Sequence, residues 1–176
     1  MKKILVQTLA ASAMLFMIAC GGEEKPKSTA PAGMMEVDLS SYGMAVTIIV
    51  PDSTKGIVEI ASQPTGETYI KVGKQFQIAV IEDAGDIETE KNDIKIYTEV
   101  KQLKRYIVEE PTTLIYEQEV GAGGKTECHL YTIIKTSDNK MYVVKDIRED
   151  TFGEEAIKAM LESAKSIRPK GAAARV

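Results

Sequence analysis

Seven short runs of β-branched and aromatic residues most constrain the fold of this chain. Each run has seven to ten residues, which suits a strand better than an ordinary helix. Short connections containing Pro, Gly, Asn or Asp separate most of the runs and favour antiparallel hairpins. The sequence therefore predicts a protein built mainly from antiparallel strands. The predicted strands are residues 44–52, 56–63, 67–73, 75–83, 112–120, 127–136 and 140–148.

Two further segments have helical features. Asp86 is a suitable N-cap and precedes an acidic first turn, which predicts a helix over residues 86–98. The sequence leaves open whether residues 99–110 are helix or strand, because their apolar positions fit both periods. Near the C-terminus, Thr151 and Glu154 have the spacing of a capping box, and a wide apolar stripe follows. The stripe consists of Phe152, Ala156, Ile157, Met160, Leu161, Ala164 and Ile167.

This order of strands, helix, strands and terminal helix predicts an α+β fold, an antiparallel sheet with helices packed on it. It resembles the PsbP-like α/β/α sandwich, which photosystem II extrinsic subunits share with many small bacterial lipoproteins. The resemblance rests on MAVTIIVPD (44–52), EEPTTLIYE (109–117) and EEAIKAMLESAKSI (154–167), and it covers nearly the whole domain. It implies no set of catalytic residues, and a fold alone does not define a function.

The N-terminal residues have the pattern of a secretory signal. Two lysines precede a mostly apolar run over residues 4–18, and a small residue, Ala19, stands before Cys20. The fifteen residues of the run are fewer than the roughly 20 needed to span a bilayer. A permanent transmembrane helix is therefore the weaker alternative, and residues 1–19 are predicted to be a signal peptide.

The junction Met17-Ile18-Ala19-Cys20 resembles the lipobox of bacterial lipoproteins, with Met17 where Leu is more usual. The resemblance implies cleavage before Cys20 and diacylglycerol on its sulfur. In most diderm bacteria it also implies an acyl chain, such as palmitate, on the new amino group. The simpler alternative is a soluble secreted protein whose cysteine happens to follow the cleavage site. One acyl chain binds a membrane only marginally, whereas two or three chains hold a protein there.

Residues 20–35 are predicted to be the lipidated cysteine and a flexible tether, since they combine Gly, Pro, Ser and charge without an apolar period. Glu23 and Glu24 resemble the acidic surface-export signal of Bacteroidetes lipoproteins, and they equally suit a solvated linker. We expect a lipid-anchored protein of the cell envelope, at the outer membrane, facing the periplasm or the surface. Residues 36–170 are predicted to form a single α+β domain, and residues 171–176 a disordered tail.

The charge balance excludes one class of partner. Removal of the signal peptide takes away two of the 22 basic residues and none of the 26 acidic residues, which leaves a net side-chain charge of −6. Binding to nucleic acid requires clustered Lys and Arg, so no nucleic-acid partner is predicted. Acylation of Cys20 leaves Cys128 without a partner for an intrachain disulfide.

The segment GAGGKT (121–126) is similar to part of a phosphate-binding loop. A Walker A motif has a glycine five positions before its Gly-Lys pair, but Glu119 occupies that position here. The motif must also open a helix, whereas ECHLYTIIKT (127–136) predicts a strand. We therefore interpret the segment as a hairpin connection, and no nucleotide or other cofactor is predicted.

Cys128 and His129 are the only thiol of the predicted domain and the only imidazole of the chain. Neighbouring side chains on a strand point to opposite faces, so this pair is not expected to act as nucleophile and base. Cys128 shares a face with Leu130 and is predicted to be a buried, inert thiol. The acidic stretch 82–93 lacks the ligand spacing of an EF-hand and is interpreted as the start of a helix. No catalytic, cofactor-binding or metal-binding residue is predicted.

Two functions remain in consideration. The first is a membrane-anchored, non-catalytic binding or adaptor module for a protein or a small ligand. The alternative is a small envelope enzyme of the hydrolase kind, with a pocket near His129. A hydrolase usually needs a His, a carboxylate pair in a cleft or a metal, and this chain offers only His129 and scattered carboxylates. We therefore favour the binding module, and His129 in a pocket within reach of a carboxylate would favour the enzyme.

Overall fold

The computed structural model describes residues 30–96, 101–121 and 124–172. This part of the chain forms two antiparallel sheets and two α-helices. The predicted signal peptide, Cys20 and the first part of the tether lie outside the described residues. In chain order the elements are β1 (Met34–Asp38), a 3₁₀ turn (Ser40–Tyr42), β2 (Val46–Pro51), β3 (Val58–Ser62), β4 (Thr68–Val72), β5 (Phe76–Glu82), α1 (Ile87–Ile96), β6 (Lys101–Glu110), β7 (Thr113–Val120), β8 (Thr126–Lys135), β9 (Met141–Asp146), α2 (Glu154–Lys165) and β10 (Arg168–Pro169).

The larger sheet has seven strands in the order β3-β4-β5-β9-β8-β7-β6, and every pairing is antiparallel. After β5 the chain passes through α1 to the far edge of the sheet. It then returns strand by strand until β9 lies beside β5. All seven predicted runs form strands, so the expected antiparallel α+β fold is confirmed. The segment that the sequence left open contains β6, whose ten residues are strand.

The smaller sheet has three strands in the order β1-β2-β10. Its central strand, β2, is the first predicted run, whereas β1 and β10 were not predicted. β1 begins at Met34, inside the predicted tether, because Met34 and Met35 pair with Pro51 and Val50. β10 has only two residues, which is too short to produce a periodic pattern.

The two faces of the large sheet are covered differently. One face packs against α2 and the small sheet and encloses the main core, which includes Ile48, Ile78, Leu130 and Met160. The other face packs against α1 and encloses a smaller core. Since α1 has only ten residues, it covers only part of this second face. Neither α1 nor α2 is long and apolar enough to cross a membrane.

The start of α1 agrees with the sequence, but the start of α2 does not. Asp86 accepts hydrogen bonds from the Glu88 amide and the Thr89 hydroxyl, both at 2.9 Å, as an N-cap does. The predicted capping box of Thr151 and Glu154 is wrong, because α2 begins after Gly153 and no side chain caps it. The buried Phe152 side chain fixes the chain there, so packing determines where the helix starts.

The GAGGKT segment joins β7 to β8 in a hairpin, as predicted. Gly121 has a φ of 73°, a left-handed conformation that glycine adopts without steric cost. Residues 122–123 lie outside the described part of the chain. The strand β8 begins at Thr126, where a phosphate-binding loop would require a helix.

Candidate functional site

The most unusual chemistry of the described chain is a buried charged network centred on His129. His129 lies on β8, and its side chain is 1% exposed. Its Nδ1 is 2.8 Å from Asp146 Oδ2, and its Nε2 is 3.1 Å from Glu127 Oε1. An imidazole that donates to two carboxylates carries a proton on each ring nitrogen, so this arrangement suits a cationic His129.

The strand geometry explains how these groups meet. Glu127 and His129 are two residues apart on β8 and therefore face the same side of the sheet. Asp146 lies at the end of β9, next to the last residue pair between β8 and β9, Tyr131 and Lys145. Its Oδ1 accepts the backbone N–H of Leu130 at 2.7 Å, which replaces a ladder hydrogen bond at that point.

Lys101 completes the network. Its Nζ donates to Glu127 Oε1 at 2.6 Å from the start of β6. Two cationic and two anionic groups thus alternate along the network, so its formal charges cancel when His129 is protonated. Such compensation is what allows charged groups to remain buried.

The pKa of Glu127 leads to a prediction about pH. Burial by itself raises the pKa of this carboxyl, but the hydrogen bond from Lys101 and the charge of His129 outweigh burial and leave the pKa below the ordinary value of 4.5. A carboxyl whose pKa is lower in the folded state than in the unfolded state stabilises the fold at pH values above the unfolded-state pKa. This stabilisation is lost as the pH falls through the folded-state pKa.

We therefore expect Glu127→Gln to reduce the free energy of unfolding at pH 7 and to have little effect once Glu127 itself is protonated. Denaturant melts of both proteins at pH 7 and at successively lower pH measure this; a difference that does not shrink as the pH falls would contradict it.

Tyr116 extends the network towards α1. Its ring centroid lies 5.2 Å from that of His129. Burial strongly raises the pKa of the Tyr116 phenol, which therefore stays protonated and can donate to Glu90 at 3.2 Å. Its oxygen accepts from Arg148 at 2.7 Å, and Arg148 also binds Glu90 at 2.7 Å. These contacts attach α1 to the sheet below it.

Cys128 is separate from this network. Its side chain belongs to the main core on the α2 face, whereas the Tyr116 side chain that contacts His129 belongs to the smaller core on the α1 face. Burial raises the pKa of the Cys128 thiol, which disfavours the reactive thiolate. The opposite orientations of Cys128 and His129 agree with the alternation predicted from the sequence.

Two open grooves lie beside α1. The first has a volume of about 600 Å³ and runs between the start of α1 and the β6–β7 turn. The second has a volume of about 470 Å³ and lies over β5, β9 and β8 on the other side of the helix. The first groove is lined by Ala84, Gly85, Asp86, Ile87, Glu88, Lys91, Glu109, Glu110, Pro111, Thr112, Ile133 and Met141. The second is lined by Glu67, Ile81, Asp83, Ala84, Gly85, Asp86, Thr89, Glu90, Asp93, Tyr131, Val143 and Lys145.

The connection between β5 and α1 separates the two grooves. Gly85 has a φ of 62°, and a Cβ there would lie 2.7 Å from Val143 Cγ2 and 2.9 Å from Ile133 Cγ1. Glycine therefore allows the connection to lie directly on the sheet. The Tyr131 hydroxyl also accepts the Asp86 N–H at 3.1 Å. The connection is thus held in place as a fixed wall of both grooves.

Carboxylates predominate around both grooves. The first groove has four carboxylates and one lysine, Lys91, which binds Glu88 at 2.9 Å and Glu109 at 2.8 Å. The second has five carboxylates and one lysine, Lys145, which binds Glu67 at 2.6 Å. The floors contain apolar side chains, including Ile133 and Met141 in the first groove and Ile81 and Val143 in the second. The acidic stretch 82–93 therefore contributes both to the start of α1 and to the groove walls.

The described residues contain no group of three or more His, Cys, Asp and Glu side chains arranged to hold a metal ion. Comparisons with models of known protein families, with curated proteins and with solved structures give no match. The function must therefore be inferred from the residues of this chain.

Proposed function

We propose that this protein is a non-catalytic binding module, anchored in the cell envelope through lipid on Cys20, and that it binds its ligand in the grooves beside α1. The PsbP-like α/β/α arrangement belongs to the same proposal and is supported by helices on both faces of the large antiparallel sheet. Location at the outer membrane is supported by the sequence of the N-terminal segment.

The observation that carries the proposal is the pair of grooves. Concave sites with an apolar floor and a few polar groups are the usual form of a ligand site. The excess of carboxylates around both grooves favours a ligand with a positively charged group as well as an apolar part. The fixed β5–α1 connection provides a preformed wall, which lowers the entropy lost on binding.

The enzyme alternative is less well supported by the geometry. His129 lies within reach of two carboxylates, but its side chain is 1% exposed and lines neither groove. Both ring nitrogens already have partners, so neither is free to take a proton from a substrate. These contacts instead suit a structural role for His129.

A groove-filling substitution tests the proposed ligand site. Ala84 is exposed and lines both grooves, so Ala84→Trp should block them without disturbing the core. We expect a thermal-shift screen of small apolar cations to yield compounds that raise the melting temperature of the wild-type protein. A compound whose free concentration is 100 times its Kd should raise the free energy of unfolding by about 2.7 kcal/mol. These compounds should lose most of their effect on Ala84→Trp.

The matched control is Ala172→Trp, at another exposed alanine that lines neither groove. The compounds should stabilise this variant as strongly as the wild-type protein. Equal stabilisation of Ala84→Trp, or the absence of any stabilising compound, would contradict binding in the grooves.

Lipidation is tested at Cys20 itself. Mass spectrometry of the mature protein should find an N-terminal cysteine that carries diacylglycerol and an acyl chain, because Met17-Ile18-Ala19-Cys20 resembles a lipobox. Cys20→Ser should release the protein from the membrane fraction. An unmodified N-terminus at another residue would show that the junction is not a lipobox.

A further inference from the structure

The free edge of the large sheet at β3 differs from the opposite edge at β6. Strand β3 has five residues, of which only Glu59 is charged, and its pairing with β4 is regular throughout. Strand β6 has five charged residues among ten, and its pairing with β7 has two register shifts. Charges and bulges protect an edge strand from pairing with another chain. The β6 edge therefore has protective features that β3 lacks.

The hydrogen bonds at the two ends of β3 fix the direction of its backbone groups. The Gln63 N–H bonds to Glu67 O at 2.7 Å, and the Gly73 N–H bonds to Ile57 O at 3.0 Å. In an antiparallel ladder, alternate residues exchange such bonds with the same neighbour. The N–H and C=O groups of Val58, Ile60 and Ser62 therefore point away from β4. None of these six groups has a partner among the described residues.

The side chains along this edge are also incompletely covered. Val58 and Ile60 pack against the main core but are only partly buried. Ile57, directly before the strand, is 76% exposed. A strand added at this edge would bond the six outward backbone groups and cover Val58 and Ile60.

We propose that β3 pairs antiparallel with β3 of a second copy of this chain, about a twofold axis at Ile60. In this register Ile60 lies opposite Ile60 of the second copy, and Val58 lies opposite Ser62. The outward groups of the two strands then form six backbone hydrogen bonds, and none is left without a partner. The two large sheets join into one continuous sheet.

The self-complementary register favours a second copy as the occupant, because a strand of the same length and sequence pairs with all six outward groups. It places Glu59 opposite Ala61, and the two Glu59 residues are diagonal neighbours at roughly 7–8 Å. Glu59 and Ala61 are exposed, and they form a pair without backbone hydrogen bonds, for which the Cα separation is about 4.5 Å. A disulfide accepts Cα separations of roughly 4.4–6.8 Å.

Disulfide trapping in intact cells tests this register on the full chain. Two differently tagged chains, one with Glu59→Cys and the other with Ala61→Cys, are produced together and oxidised mildly. We expect a cross-linked dimer that contains both tags. Glu59→Cys paired with itself should cross-link much less, because its two cysteines are offset diagonally. Chains with Gln102→Cys on the β6 edge are the matched control, since they contain the same Cys20 and Cys128.

A second variant tests the outward hydrogen bonds. Ser62 is exposed and its N–H is not used by β4, so Ser62→Pro removes an outward donor while the ladder with β4 is kept. Adding Ser62→Pro to both tagged chains should abolish the cross-link between residues 59 and 61, whereas Ser62→Thr should preserve it.

Three results would overturn the proposal. The first is a yield of cross-linked dimer from Glu59→Cys and Ala61→Cys that is no higher than the yield from Gln102→Cys. The second is an equal yield when two Glu59→Cys chains are produced together. The third is cross-linking of β3 to a different protein instead of a second copy. Each of these results is independent of ligand binding in the grooves.

Discussion

Asp146→Ala is expected to lower the free energy of unfolding by about 3–5 kcal/mol, the usual cost of removing one partner from a buried charge pair. The Asp146 side chain is 0% exposed and accepts hydrogen bonds from His129 Nδ1 and from the Leu130 amide. Its removal leaves the imidazole with one carboxylate and leaves the Leu130 N–H without a partner. Such a loss is a large part of the roughly 5–15 kcal/mol by which a domain is stable.

Denaturant melts of Asp146→Ala and Asp93→Ala would measure this effect against a matched control. Asp93 is exposed on α1, so its replacement should change the free energy of unfolding by about 0.5 kcal/mol or less. If both substitutions changed the free energy of unfolding by about 0.5 kcal/mol or less, the network around His129 would contribute little to stability. The presence of these charged groups in the core would then need another explanation.

Leu161→Ala should lower the free energy of unfolding by roughly 2–5 kcal/mol, because truncation removes buried apolar surface and leaves a cavity. Leu161 is 7% exposed and lies in the main core, where α2 packs on the large sheet. Neighbouring Ile157 and Ala164 are fully buried, so the site has little freedom to collapse around the smaller side chain.

The control for Leu161 is the next residue along α2. The Glu162 side chain is 71% exposed and pairs only with Lys165, at 2.9 Å, among the contacts described. Exposed pairs of this kind contribute little, so Glu162→Ala should change the free energy of unfolding by about 0.5 kcal/mol or less. Equal effects of the two substitutions would show that the α2 stripe is not part of the core.

The elements that the sequence predicted well are those with a repeated pattern. The stripe of α2 could be predicted because Ile157, Met160, Leu161 and Ala164 recur at helical spacing, and all four are buried. The start of α1 could be predicted because Asp86 caps it through local hydrogen bonds. β1 and β10 could not be predicted, because a short strand is specified by the strand beside it more than by its own residues.

The buried network depends on contacts that the sequence does not specify. The sequence does indicate that Glu127 and His129 share a face of the sheet, because they are two residues apart on a predicted strand. Asp146 lies 17 positions after His129, and their contact depends on the register between β8 and β9. The grooves depend on how much of the sheet α1 leaves uncovered, which is a property of packing.

The small sheet has a consequence for the order in which the chain can fold. Its central strand β2 pairs with β1 on one side and with β10 on the other, and the Ile49 amide bonds to the Ser166 hydroxyl, 117 positions away. Contacts between such distant positions slow folding, because a long loop must close before they form. A chain still emerging during synthesis has β2 but lacks α2 and β10. The main core therefore closes only after nearly the whole chain has emerged, and the unfinished domain is exposed to proteases and to aggregation until then.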